Sequence, residues 1–257
     1  MVRIHLMDGF TLVAGVLAAL GLLLVLRQRW TPTKLKETNE ISGFYIGTIG
    51  TIYAVSLAFM LSGVWLEFEE AQVNTEKEAN CLVSFFRLAS GLPTPQQNQL
   101  QELSQAYAKV MVDEEWDAMA RREVSTRGIE INETLWQDVT RMEVHTSGEL
   151  EILDHLITEL TSMTEHRRIR MLESRRSLPG ILWAVLIVGG ILTVGTSCLF
   201  GVDSLRLHTI HTVALTLLVS LILIAIADID RPFQGVVHVN PDGFKLALET
   251  MNKLRGG

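Results

Sequence analysis

The chain is 257 residues long, 48% hydrophobic and 20% charged, with a formal net charge of −7. A positive mean hydropathy beside so many charges means that the apolar residues are bunched into blocks, which points to a membrane protein. Two distant cysteines, Cys81 and Cys198, argue against a disulfide framework or a metal knuckle, and basic clusters without interleaved aromatics argue against nucleic acid as a partner.

Phe10 to Leu26 forms the first apolar block, followed directly by Arg27 and Arg29 and then by Lys34 and Lys36. A signal peptide would carry its basic residues ahead of the block and a small-x-small cleavage site behind it, so the block reads as a retained first transmembrane helix. In the connector Gln28 to Ile41, Pro32 is expected to end or prevent helix, and Thr38, Asn39 and Ser42 are candidate caps for the next span.

The second block, Ser42 to Ala71, carries no charge between Gly43 and Leu66. At about 1.5 Å per residue this stretch exceeds the roughly 30 Å hydrocarbon core of a bilayer. Projected on a helix, Gly43, Gly47, Gly50, Ala54, Ala58 and Ser62 form a small-residue stripe that suits close packing in lipid. The other side carries Tyr45, Ile49, Ile52, Ser56, Phe59 and Gly63, and meets Glu67 where the lipid should end. Two readings stand here: a helix with one packing face and one cavity-lining face, or an ordinary bundle helix whose hydroxyls bond the preceding turn.

After Leu66 the sequence turns polar without a breaker, so this helix is expected to continue until Gly91 and Pro93, with Leu66, Val73, Leu82, Phe85, Phe86 and Leu88 available for packing. Helices are predicted over Gln97 to Val124, from about Ile131 to Val144 after a break at Gly128, and from about Gly148 to Ser177. In the last of these, Leu150, Leu153, Leu156, Ile157, Leu160, Met163, Ile169 and Leu172 recur at three and four. No alternating strand pattern occurs, so residues 67–178 read as an all-helical domain. Arg167, Arg168, Arg170, Arg175 and Arg176 form the densest basic cluster, just ahead of Pro179, and read as membrane-flanking residues that favour a cytoplasmic position.

A third block runs from Gly180 to Gly201 and a fourth from about Leu207 to Ala227, joined by the short connector VDSLR. The fold class expected is an all-α integral membrane protein, with four transmembrane helices and a helical cytoplasmic domain inserted between the second and third. Its segments are residues 1–66, 67–178, 179–229 and a tail of 230–257, with both termini cytoplasmic.

No phosphate-cradling loop, nucleophile-base set or HExxH motif is present, so no enzyme is indicated. His208 and His211, three apart, would bind a metal or titrate, or would simply be interfacial imidazoles. Asp228 and Asp230, with Arg231 between water and the fourth span, would form a salt-bridged turn, cap it, or help to coordinate a hard cation such as calcium.

Two spans, a helical section, two spans with a very short connector and the run DIDRPFQG after the last span together resemble bestrophins. NEISGFYIGTIGTIYAVSLAFMLSGVW and DIDRPFQG carry the likeness to the bacterial members of that group. The resemblance implies a pentameric homo-oligomer in the bacterial inner membrane, passing small inorganic ions along the second span. The resemblance places the constriction around Ile52, Ser56, Phe59 and Gly63, and with Ile49 and Glu67 from the same helical side these are the pore-lining candidates; Asp228 and Asp230 match the run near the calcium site of animal members. Serine and glycine at positions 56 and 63 depart from the bulky apolar constriction of bestrophins, and the long acidic string of the calcium-gated members is absent. The acidic run Glu67, Glu69, Glu70 favours cations while the resemblance leaves anions open, so the ion sign is unresolved. The rival reading is a non-conducting membrane scaffold or signalling protein whose helical domain recruits a partner.

Overall fold

The computed structural model describes residues 2–256, with side chains from residue 9 onward. Among the described residues every regular element is a helix: α1 (Val2–Arg29), α2 (Pro32–Glu37), α3 (Asn39–Ala89), α4 (Thr94–Val110), α5 (Trp116–Ala120), α6 (Thr126–Thr140), α7 (Ser147–Glu173), α8 (Gly180–Ser197), α9 (Leu205–Ile229) and α10 (Asp242–Gly256). A wide π turn, Met111–Glu115, joins α4 to α5. Four helices (α1, α3, α8 and α9) are long and apolar enough to cross a membrane. The chain forms two compact units, Met1–Leu66 with Ser177–Asp230, and Glu67–Arg176 with Arg231–Gly257.

In the first unit α1 packs along α9, and α8 packs on both. Small residues set the approach of α8. Tyr53 of α3 donates to the Leu186 carbonyl at 2.9 Å, and a Cβ at Gly190 would come within 2.9 Å of the Tyr53 hydroxyl and 3.2 Å of Val219. The connectors interlock as well. Asn39 both donates to the Gly201 carbonyl (3.1 Å) and accepts from the Gly201 N–H (2.8 Å), Arg27 donates to the Val202 carbonyl, and Lys36 pairs with Asp203 at 2.5 Å. Pro32 does not stop helix here. It opens α2 at the position where a missing N–H costs nothing, and Thr38 closes α2 while Asn39 spends its side chain on Gly201 in place of capping α3.

The second unit buries Leu82, Phe85 and Phe86 of α3 against Leu100 and Tyr107 of α4, Leu135 of α6 and Phe244 and Met251 of α10. Its α7 differs from the predicted pattern. Leu150 and Leu172 are exposed, and the buried stripe is Leu156, Leu160, Met163, Arg167 and Arg170, so two arginines occupy core positions at a spacing of four and three. Arg170, wholly buried, meets Glu78 in a two-point pair, Nε to Oε2 at 2.7 Å and Nη2 to Oε1 at 3.0 Å. Tyr107 donates to the same carboxylate at 2.6 Å, and the Arg170 guanidinium lies 5.0 Å from the Trp116 ring centre. Arg167 pairs with the buried Glu115 at 3.0 Å. Two positive and two negative charges thus cancel inside the unit. Burial works against the Arg170 charge, yet Glu78 outweighs it and holds the guanidinium protonated.

Two deviations from the predicted helices serve this cluster. The predicted helix Gln97 to Val124 widens at Met111–Glu115, which turns Glu115, Trp116 and Met119 inward. Gly128, expected to break helix, lies in the first turn of α6, where a Cβ would stand 2.7 Å from Glu115 Oε2 and 2.9 Å from Arg167 Nη2. The helix before it ends on Arg122, held at φ 62 while its N–H reaches Met119 and the Glu123 N–H reaches Ala118, the paired bonds of a left-handed helix end.

Arg170→Met strands the Glu78 charge and is expected to cost about 3–5 kcal/mol of stability. Adding Glu78→Gln should recover much of this, as followed by thermal unfolding. Arg122→Gly relieves a left-handed side chain and should raise stability by about 0.5–1 kcal/mol in the same assay.

Candidate functional site

Between Gly43 and Leu66 the helix α3 turns only one narrow face into its own unit, marked by Tyr53, Leu57 and Val64. The two flanks of that face are open. On one flank stand Ile52 (63% exposed) and Phe59 (70% exposed), with Gly63 beside them and Ile49 and Ser56 half-buried at the shoulder. The other flank is the small-residue stripe. Gly47 and Gly50 have no atom from outside α3 within 4 Å of where a Cβ would stand, Ala54, Ala58 and Ser62 are exposed, and Gly43 approaches Phe200 in the connector after α8. Among the described residues, close packing is therefore made by Tyr53 against Gly189 and Gly190 of α8, while Gly47 stays exposed.

Three aliphatic hydroxyls of this span donate to the preceding turn of the helix. Thr48 donates to the Phe44 carbonyl (3.0 Å), Thr51 to Gly47 (2.8 Å) and Ser56 to Ile52 (2.9 Å). Each proton is thereby directed along the helix, and what Ser56 presents outward is an oxygen lone pair.

Glu67 is half-buried, while Glu69 and Glu70 are exposed. In the same compact unit sits a carboxylate that sequence reading passed over, Glu173 at the end of α7. Burial is the main reason that the Glu173 carboxyl is pushed up to about 6; Glu70 and Glu67 also raise it, and Arg176 and Arg170 oppose them. Its Oε2 is buried without a hydrogen-bond partner. No spacing rule links positions 67, 70 and 173, which meet only through the packing of α7 on α3.

The metal candidates fall elsewhere. Asp230 is buried at the end of α9 and accepts from the Leu178 N–H at 2.7 Å, tying the start of α8 to the end of α9. Asp228 is half-buried. Beyond Asp230 the matching motif serves packing in the other unit, where Phe233 meets Trp116 edge-on at 6.0 Å and Gly235 turns at φ 85. His208 is buried with its Nε2 3.2 Å from the Ser197 carbonyl, whereas His211 is exposed, so the two rings do not converge. Among the described residues no three His, Cys, Asp or Glu side chains gather as a metal site.

Glu173 gives a pH signature. Its folded value lies above the 4.5 of an ordinary glutamate, so the cost of holding it charged is absent below that pH and complete above about 6. Glu173→Gln should therefore raise the unfolding temperature near pH 8 and leave it unchanged near pH 4.

A family profile for the bestrophin-like domain matches residues 13–244. No curated protein sequence matches the chain. Among solved structures, the fold is similar to that of a membrane protein variant, with a TM-score of 0.69 at 12% identity over 96% of this chain and 98% of that one. Two point variants of a bacterial bestrophin homologue from Klebsiella pneumoniae are also similar. One has a TM-score of 0.67 at 12% identity over 99% of this chain and 98% of its own, the other 0.66 at 13% over 97% and 99%. At such identities the structures speak to the fold, while the profile spans most of the chain and speaks to descent. The chain belongs to the bestrophin-like family.

Proposed function

We propose that the chain is the subunit of a homo-oligomeric ion channel in the bacterial inner membrane, with α3 of each copy lining a shared conduit. The observation that carries this reading is the exposure of α3: a charge-free span whose two flanks, one bulky and one small, are largely uncovered among the described residues. In the fivefold assembly implied by the family, the Gly47, Ala54, Ala58 stripe packs on the neighbouring copy and the Ile49, Ile52, Ser56, Phe59, Gly63 side faces the axis. Membership in the bestrophin-like family supports the same assignment.

Ile52 and Phe59 then form apolar rings that gate by dewetting, Ser56 offers oxygen to a passing ion, and Glu67 supplies a negative ring. The reading favours cations, because every named polar group on this surface offers oxygen and Ser56 has no proton left to give an anion. The helical unit and both termini lie on the cytoplasmic side.

The test is the full-length chain reconstituted in planar bilayers under a salt gradient. Currents with a cation-directed reversal potential are expected, Phe59→Ala should raise conductance several-fold, and Glu67→Gln should move the reversal potential towards zero. Absence of current at every voltage and divalent concentration, with a correctly assembled oligomer, would leave a scaffold role instead.

A further inference from the structure

The membrane unit contains a crevice of about 270 Å³ that the chain's own side chains do not fill. Gly15, Ala18 and Leu22 of α1, Ile191 and Gly195 of α8, and Ser220 of α9 line it. A Cβ on Gly15 would stop 3.5 Å from Ser220 Oγ and one on Gly195 would stop 3.9 Å from Leu22, ordinary contacts that leave the space between the helices open. The hydroxyl of Thr216, also in the wall, is spent on the Thr212 carbonyl at 2.7 Å, so the lining offers almost nothing polar. All three helices are long and apolar enough to span a bilayer. An open crevice there forfeits dispersion contacts, and the surrounding material able to restore them is hydrocarbon.

Charge further along the same stripe of α1 selects which hydrocarbon. Gly15, Ala18, Leu22 and Arg29 are spaced by three, four and seven residues, so they share one stripe of α1, with Arg29 two turns beyond Leu22, the last lining residue of that helix. Its neighbour Arg27 is occupied by the Val202 carbonyl. Arg29 is exposed and, among the described residues, has no ion-pair partner, and Trp30 beside it is 46% exposed. An arginine and a tryptophan at the end of a span mark the headgroup level. We propose that the crevice binds one acyl chain of an anionic glycerophospholipid whose phosphate is held by Arg29. The site is independent of whether α3 conducts.

The test uses full-length protein in neutral detergent, supplemented with dioleoyl-phosphatidylglycerol or with dioleoyl-phosphatidylcholine, read by unfolding temperature and by native mass spectrometry. The anionic lipid should raise the unfolding temperature by several degrees more than the neutral one, with one molecule retained per subunit. Arg29→Gln should erase the difference between the two lipids. Gly195→Leu, which fills the crevice from a wall with room for it, should abolish retention of the anionic lipid, and Ser220→Leu should repeat this from the opposite wall. Equal shifts with both lipids, an undiminished preference in Arg29→Gln, or retention in both filled variants would overturn the assignment. So would a change in subunit number with Gly195→Leu and Ser220→Leu, which would make the crevice a seat for a second copy.

Discussion

Inside the helical unit two guanidinium groups have been taken out of water, and the surrounding architecture follows from that requirement. A buried charge left alone costs several kcal/mol, so Arg170 needs Glu78 from α3 and Arg167 needs Glu115 from the π turn. Satisfying both fixes how α3, α7 and the segment after α4 lie against each other. It also dictates details that look arbitrary in isolation: a glycine at 128 because a Cβ would strike the carboxylate, a tyrosine at 107 to complete the Glu78 acceptors, an indole at 116 beneath the cation. Removing one partner of either pair leaves the other charge buried and unmatched, which is the costly case.

The membrane unit obeys the opposite economy. Lipid tails are as apolar as leucine, so the helices gain little from burying leucine on leucine, and association turns on close approach and on backbone groups. Gly189 and Gly190 admit Tyr53 to the α8 surface, and the connectors are tied by side chain to backbone bonds at Gly201 and Val202. Along α3, by contrast, Ile52, Phe59, Ala54 and Ala58 stay exposed among the described residues.

The four spans, the polar helices and the family were legible because they rest on local composition and on one short motif, DIDRPFQG, that survives as a string. The buried charges were not. Arg167 and Arg170 stand in the densest run of arginines in the chain, and a run of that kind at the edge of an apolar block reads as membrane-flanking. What separates them from Arg168, Arg175 and Arg176 is the face of α7 on which they fall, a face that the stronger leucine pattern concealed by suggesting Leu150 and Leu172 as core. The widening at Met111–Glu115 escaped for a related reason, since a π turn leaves the same residues in the same order and changes only their azimuth. For the candidate conduit residues the helical spacing groups Ile49, Ile52, Ser56, Phe59 and Gly63 on one side of α3, and the structure adds that Ile52 and Phe59 are exposed and that Ser56 donates to the Ile52 carbonyl.

That widening has a consequence for how this chain can change over time. A π turn is an α-helix with one residue too many, so a single deletion between Met111 and Glu115 would give a more regular helix by every local measure. It would also rotate everything beyond it by about 100°, carrying the Trp116 ring away from Arg170 and Phe244. The irregular residue works as a phase-setter between two stretches of helix. Length at this point of the chain is therefore constrained as tightly as residue identity, in a region where a surface helix would ordinarily tolerate the loss.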